Sequence, residues 1–187
     1  MSNIYRSNIL KSQKRAYSEG TVLLEDDIWY FFEIDAEEES ELDFYLHQEL
    51  RLYRDDEWVT GVLLEDGILA TPYEKFRIES GDRILIKKSI LFSLENLMEE
   101  ISDDAFNQFI TTLNNLNYSI YDCIFCHNHL VFLGNQKIKQ GVNFITFDNG
   151  DEICAVQHHF TYYKKQRDRF EFTLSTGKRI VIENIVK

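Results

Sequence analysis

The side chains best suited to bind a metal ion or to act as nucleophiles are concentrated in one part of this sequence. All three cysteines and four of the five histidines lie between Cys123 and His159, and His47 is the histidine outside this segment. Thiolate and imidazole groups are the ligands that zinc prefers in proteins. The clustering therefore points to metal or thiol chemistry in the C-terminal part of the chain, although it names no reaction.

The spacing of two cysteines matches half of a structural zinc site. Cys123 and Cys126 have the C-x2-C spacing that lets two thiolates reach one ion from a tight turn. The second half is incomplete, because Cys154 and His158 would lie about 13 Å apart along an extended strand. With His127, the motif also matches the attachment signature of covalent haem, which requires export. Zinc is the cofactor that the pair favours, and thiol redox chemistry is an alternative.

The histidines allow a different metal site. His127 and His129 are two residues apart and would point to the same face of a strand, with Cα atoms about 6.6 Å apart. His158 or His159 from a neighbouring strand would supply a third ligand. Three protein ligands leave one coordination position for water, as in a metal-dependent hydrolase. The competing interpretation is that the cysteines are buried as small hydrophobic residues and that the histidines form structural hydrogen bonds.

A short basic segment stands out in an otherwise acidic chain. It contains Tyr162, Lys164, Lys165, Arg167 and Arg169. Basic side chains beside aromatic rings bind nucleic acid or an acidic protein surface. A run of this kind is more often an exposed loop between strands.

Charge and composition narrow the classes of partner. The 187-residue chain carries a formal net charge of −12, which repels nucleic acid and anionic lipid surfaces. Basic proteins or cationic ligands are therefore the favoured partners. No apolar run approaches the ~18 to 20 residues that cross a bilayer, and residues 1–20 lack the apolar centre of a signal peptide. We therefore expect a cytoplasmic protein, without a membrane partner, whose cysteines are free.

The N-terminal half has the pattern of short antiparallel strands. A helix over residues 3–18 is predicted to end near Gly20. Strands separated by Asp-Asp, Asp-Gly and Ser-Gly-Asp turns are then predicted over residues 21–25, 28–34, 49–54, 57–64, 68–71 and 83–88. The acidic segment from Glu37 to His47 is predicted to be a loop or the first turn of a helix. Strands at this spacing favour a small barrel or rolled sheet over about residues 20–90.

An internal similarity has two explanations. Residues 22–28 and 62–68 are identical at six of seven positions. A duplicated hairpin would form two halves of a barrel. Alternatively, unrelated hairpins have converged on similar turns, since two copies do not make a repeat array.

Helical periodicity appears in the middle of the chain. Residues 93–116 place apolar side chains at helical spacing, with Ser93 and Ser102 as predicted N-caps of two short helices or of one broken helix. The apolar stripe predicts core packing rather than a cofactor site. Strands are predicted to return over residues 118–123, 129–133, 142–147, 152–160, 168–174 and 178–185.

Four segments carry a likeness to known proteins. They are Asp103–Leu113, Tyr121–Asn128, Gly141–Phe144 and Val156–Phe160. Together they resemble an uncharacterised family of Bacillus-type bacteria over most of the chain. The resemblance implies a bacterial cytoplasmic setting. The family is a domain of unknown function, so it implies no activity, cofactor or catalytic residue.

These patterns predict an α+β protein dominated by antiparallel strands. We expect an N-terminal helix or arm over residues 1–19, a barrel-like unit over 20–91, a helical segment over 92–117 and an antiparallel β unit over 118–187, packed as one body. The favoured function is a non-enzymatic binding or regulatory protein with a protein partner, because no complete catalytic constellation is present. The alternatives are a zinc-binding protein or metal-dependent hydrolase, and weak nucleic-acid binding through the basic segment.

Overall fold

The computed structural model describes residues 2–34 and 39–186. Their contacts divide the chain into two compact units. One unit is Ala16–Lys88, and the other combines the described residues up to Arg15 with those from Ser89 onward. None of the helices within these residues has the length and apolar character that a bilayer crossing requires.

The unit Ala16–Lys88 is built on an eight-stranded antiparallel sheet. Its strands are β1 (Tyr17–Glu25), β2 (Ile28–Glu33), β3 (Ser40–Glu41), β4 (Glu49–Arg54), β5 (Glu57–Leu64), β6 (Ile68–Ala70), β7 (Lys75–Arg77) and β8 (Arg83–Lys87). The spatial order is β3-β2-β1-β8-β4-β5-β6-β7, so the predicted antiparallel unit is confirmed, but its described strands do not close into a barrel. The edge strands β3 and β7 have two and three residues, and each pairs with one neighbour, β2 and β6 respectively.

Pairs of aspartates form two of the hairpin turns in this sheet. Asp26 and Asp27 have φ angles of 48° and 65°, and Asp55 and Asp56 have φ angles of 50° and 64°. A two-residue hairpin turn of the favoured hand needs positive φ at both positions, which Asp tolerates better than most residues with a side chain. The predicted turns are thereby confirmed.

The two similar heptapeptides form hairpins of different register. The first turns through two residues, and the second turns through three, Glu65–Gly67. Val22 is buried in the first copy, whereas in the second copy the buried residue is Leu63, one position further along the repeated sequence. An offset of one residue exchanges the two faces of a strand. Convergence on similar turns therefore explains the similarity better than a duplicated half-barrel.

The second unit packs helices against one face of a five-stranded antiparallel sheet. Its elements are α1 (Ser2–Lys11), α2 (Phe92–Glu100), α3 (Asp103–Asn115), β9 (Cys123–His127), β10 (Lys139–Asp148), β11 (Ile153–Tyr162), β12 (Gln166–Leu174) and β13 (Arg179–Val186). The strand order is β13-β12-β11-β10-β9. Phe109 of α3 contacts Phe147, Phe170 and Phe172, with ring centroids 6.2, 5.1 and 5.7 Å away. The predicted apolar stripe is therefore core.

Polar contacts fix the ends of the helices. The Ser102 hydroxyl accepts the backbone N–H of Ala105 at 3.2 Å, which confirms the predicted cap of α3. Ser93 is not a cap, because α2 begins at Phe92. In the N-terminal segment, Arg15 pairs with the buried carboxylate of Asp122 at 2.6 Å.

Several local predictions are wrong. Gly20 does not end a helix; it lies inside β1. Residues 120–122 and 129–133 form short 3-10 helices rather than strands, because Ser119 and Asn128 cap them with side-chain hydrogen bonds. Within the acidic segment, residues 37 and 38 lie outside the described residues, and Leu42–Tyr45 form the predicted helical turn as a 3-10 helix.

Gly20 lies where a side chain does not fit. A Cβ atom at this position would lie 2.2 Å from the backbone oxygen of Phe32 and 2.5 Å from the ring of Phe31. We expect Gly20→Ala to lower the free energy of unfolding by about 1 to 3 kcal/mol, because the core must shift to admit the methyl group. Urea denaturation measures the change. Thr21→Ala, at the exposed neighbouring position, should cost less than about 1 kcal/mol, and equal losses in the two variants would contradict the steric explanation.

Candidate functional site

The three cysteines lie on two strands of the five-stranded sheet. Cys123 and Cys126 are half-buried on the edge strand β9, Cys154 is buried on β11, and all three are free thiols. Burial raises the pKa of Cys123 to about 12 and that of Cys154 to about 11, and it also raises the pKa of Cys126. The thiolate is the form that binds a metal or attacks a disulfide. At neutral pH these thiols therefore stay protonated, which disfavours redox chemistry.

His127 and His129 do not lie on one strand face. β9 ends at His127, and Asn128 begins the next 3-10 helix by accepting the backbone N–H of Leu130 at 3.1 Å. The two imidazole rings stack, with centroids 6.4 Å apart and planes 20° apart, and His127 also stacks on Phe132 at 6.1 Å. Two nearly parallel rings at this distance need a third ligand to make a metal site, and the described residues place none beside them.

The other two histidines point to opposite faces of β11. His158 is buried against the helices, whereas His159 lies on the outer face with its Nε2 atom 3.6 Å from Glu171 Oε1. Over the described ranges, no group of three or more His, Cys, Asp or Glu side chains is placed to hold a metal ion. The predicted zinc ligands are thus distributed between the interior, the edge strand and the outer face.

A chain of polar side chains crosses the interior of the sheet through His158. Its Nδ1 atom lies 3.0 Å from Asn143 Nδ2, and its Nε2 atom lies 2.9 Å from Asp168 Oδ1. The Asn143 side-chain oxygen accepts the backbone N–H of His129 at 2.7 Å, and the Tyr162 hydroxyl donates to Asp168 Oδ1. Asn143, His158 and Asp168 are fully buried. Strands β10, β11 and β12 each contribute one of these three groups.

These contacts determine the protonation state of His158. The Asn143 oxygen already accepts a backbone N–H, so the Asn143 amide nitrogen faces His158 Nδ1 and donates to it. The ring proton therefore lies on Nε2, where it donates to Asp168, and the imidazole is neutral. Burial lowers the pKa of His158 and outweighs the opposing effect of Asp168. The second Asp168 oxygen, Oδ2, is buried and has no hydrogen-bond partner among the residues described.

The predicted basic segment is divided between the outer face and one end of the sheet. Arg167 and Arg169 lie on the outer face, where they pair with Glu183 at 3.4 Å and with Glu171 at 2.6 Å. Glu171 also pairs with Arg179, and this hydrogen bond is the largest cause that lowers the pKa of Glu171. The arginines of the segment are therefore neutralised by carboxylates.

The lysines of the segment border a cavity of about 490 Å³ at the end of the sheet. Its lining residues are Glu100, Lys139, Tyr162, Tyr163, Lys164, Lys165 and Gln166. We call it the lysine cavity. Sequence reasoning missed Lys139 and Glu100, because only the strand pairing and the position of α2 bring them to the basic segment.

A larger cavity, of about 810 Å³, lies in the unit Ala16–Lys88, and we call it the acidic cavity. Its lining residues are Leu24, Asp27, Ile28, Trp29, Glu41, Asp43, Leu46, Glu65, Asp66 and Arg77. It lies between the turns of the two similar hairpins. The Trp29 ring packs against Gly67, where a Cβ atom would lie 2.8 Å from the indole nitrogen. In the part of the chain that the structure describes, none of the five lining carboxylates forms an ion pair within 4.0 Å.

Comparison with known proteins identifies relatives over nearly the whole chain. A family model described as "Protein of unknown function (DUF2777)" matches residues 4–184. The "Uncharacterized protein YisN" of Bacillus subtilis (strain 168) is 31% identical over 188 residues, which cover 97% of this chain and 93% of the relative. No solved structure matches. The resemblance to an uncharacterised family of Bacillus-type bacteria is confirmed.

The hydrogen bond from Asn143 gives a test of the buried chain. We expect Asn143→Asp to raise the pKa of His158, because a carboxylate would accept a proton from Nδ1 where the amide now donates. In the unaltered protein, His158 should stay neutral as the pH falls below about 6.5, so the unfolded state alone takes up this proton and stability decreases toward acid. Titration of the imidazole by NMR measures both proteins. An unchanged His158 pKa in the variant would contradict the assigned tautomer, and the exposed His127 is the internal control.

The separation of the imidazoles and thiols predicts indifference to metal. We expect a small excess of zinc, or a chelator, to shift the melting temperature by less than about 1 °C, since a bound ion would stabilise the folded state by mass action. Thermal unfolding followed by circular dichroism measures the shift. Stabilisation by several degrees that disappears in His127→Gln/His129→Gln would show that these residues bind zinc after all.

Proposed function

We propose that this chain, which belongs to the DUF2777 family of proteins of unknown function, is a non-enzymatic binding protein that holds a basic segment of a protein partner in its acidic cavity. The observation that carries the proposal is the composition of that cavity. Five carboxylates and one arginine surround a concavity that also contains an indole ring and three aliphatic side chains.

The shape and lining of the cavity suit a side chain with an apolar stem and a charged end. Its volume of about 810 Å³ falls within the usual range of ligand sites. Leu24 and Ile28 are 43% and 40% exposed, so they offer apolar surface to a partner. Lysine and arginine bury their aliphatic stems against such surface while the charged group stays near carboxylates. The Trp29 ring adds a face for a cation.

Charge favours the same class of partner. Carboxylates gathered at one site repel one another, because physiological salt screens charges fully only beyond about 8 Å. A cationic segment relieves that repulsion on binding. The net charge of −12 also increases the rate at which a basic partner reaches the surface. Clustered carboxylates alone are often only a solvated surface, so the apolar and aromatic lining is what supports recognition.

The burial of His158 and of the cysteine thiols favours binding over catalysis. Both ring nitrogens of His158 are engaged in the interior by Asn143 and Asp168. The cysteine thiols are held in the protonated form by burial. A general base has to reach the proton that it abstracts, and a sealed imidazole does not.

Fluorescence of Trp29 tests the proposal in the full chain. The experiment uses a Trp58→Phe variant, in which Trp29 is the one tryptophan and its fluorescence reports binding at the cavity. The probe is a short synthetic peptide rich in arginine and leucine. We expect saturable binding, and we expect Asp27→Asn/Glu41→Gln/Asp66→Asn to weaken it by about tenfold, because three exposed charge pairs are lost. Asparagine tolerates the left-handed backbone of Asp27 and Asp66, so these turns should persist.

A matched control separates the cavity from the net charge. Asp55→Asn/Asp56→Asn/Glu57→Gln removes the same three charges at a turn of the same left-handed geometry, outside the cavity lining. It should weaken binding by less than about twofold, the effect of distant charge in physiological salt. Equal losses in the two triple variants, or no binding of the basic peptide, would refute the proposal.

A further inference from the structure

We infer that the lysine cavity is a second binding site, for a small ligand that carries two or more phosphate charges. This cavity belongs to the other unit of the chain and is independent of the acidic cavity. The inference rests on three lysines that have no carboxylate partner among the described residues, on the backbone register that brings them together, and on the size of the space that they surround.

Strand register gathers the lysines at one end of the five-stranded sheet. Lys139, the first residue of β10, pairs with Tyr162, the last residue of β11, and Tyr162 pairs in turn with Gln166 at the start of β12. Lys164 and Lys165 occupy the turn between β11 and β12. Three ammonium groups from two separate segments of sequence therefore border the same cavity.

These lysines lack the partners that neutralise the neighbouring arginines. The protein has 32 acidic residues against 20 lysines and arginines, so carboxylates are abundant. Arg167 and Arg169 have each acquired one. Across residues 2–34 and 39–186, no carboxylate lies within 4.0 Å of the ammonium groups of Lys139, Lys164 or Lys165. Like charges held together without counter-charges favour an anionic ligand.

The other lining groups define the class of anion. Glu100, the last residue of α2, is the single carboxylate of the lining, so the three lysines leave an excess of two positive charges. The Tyr162 hydroxyl already donates to Asp168, and the lysines are the charged donors that a ligand would meet. Lysine binds phosphate as a point charge. The 62% exposed ring of Tyr163 lies beside the lysines and offers a face to an organic group attached to the phosphates.

Size and surroundings favour a small ligand over a nucleic-acid strand. A volume of about 490 Å³ matches a compact metabolite. A strand needs a track of free cations along the surface. Here the next basic residues, Arg167 and Arg169, are held by Glu183 and Glu171 on the outer face of the sheet.

Titration of the full chain with inorganic pyrophosphate, followed by backbone amide NMR, tests the inference. We expect saturable shifts confined to residues around Lys139 and from Tyr162 to Gln166. Lys139→Gln/Lys164→Gln/Lys165→Gln should weaken binding by about tenfold or more, and Glu100→Gln should strengthen it by about twofold, because it removes the repelling carboxylate.

A parallel titration with adenosine triphosphate distinguishes the source of the phosphates, since tighter binding than pyrophosphate indicates an organic phosphate that contacts Tyr163.

The control variant Lys11→Gln/Lys14→Gln/Lys178→Gln lowers the net charge equally at exposed positions outside the lining. It should leave the affinity within about twofold, as screening by salt predicts. The inference is overturned if pyrophosphate leaves the cavity residues unshifted or if the control weakens binding as much as the cavity variant. Binding of a mixed single-stranded oligonucleotide at these residues without binding of pyrophosphate would overturn it in favour of nucleic acid. Because the probe is an anion and the site lies in the other unit, none of these results bears on the basic-peptide proposal.

Discussion

Adjacent residues of a β-strand point to opposite faces, and in the five-stranded sheet this alternation decides which reactive side chains can meet. It buries His158 and sends His159 to the outer face, and it buries Asp168 between two arginines that lie on the outer face. His158 and Asp168, which are ten residues apart, thereby become hydrogen-bonded neighbours. The neighbouring histidines of the sequence are separated by the full thickness of the sheet. At most one of His158 and His159 can therefore face any given site.

The buried polar chain also selects the register of the central strands. If β11 slipped by one residue against β10 or β12, His158 would move to the outer face and Asn143 and Asp168 would lose their shared partner. Buried polar groups that lose their hydrogen bonds cost about 1 to 3 kcal/mol each. The buried chain of Asn143, His158 and Asp168 is therefore best understood as a determinant of structure.

Much of the fold could be predicted from the sequence, because short-range patterns determine it. Asp-Asp turns and alternating apolar residues located β4 and β5 to the residue, and Ser102 located the start of α3. The two-residue period of a strand puts His158 on the same face as Val156 and Phe160, and Asp168 on the same face as Phe170, so the burial of both could be predicted from the sequence. The two cavities could not be predicted in this way. Strand pairing brings Lys139 and Lys164 to the same cavity, and packing brings the Trp29 ring against Gly67. In both cases the two segments are distant in the sequence, and no local pattern indicates that they lie together.

The left-handed aspartates of the hairpin turns carry one more consequence. Five aspartates of the described chain have positive φ, a conformation that glycine adopts without steric cost and asparagine at a smaller cost. Each therefore sacrifices a little conformational free energy to keep an acidic group at the tip of a turn. Single substitutions in these surface turns can therefore change the stability of the protein without changing its core. Replacement of these aspartates by glycine or asparagine would raise stability at high temperature, and it would reduce the negative charge of the surface.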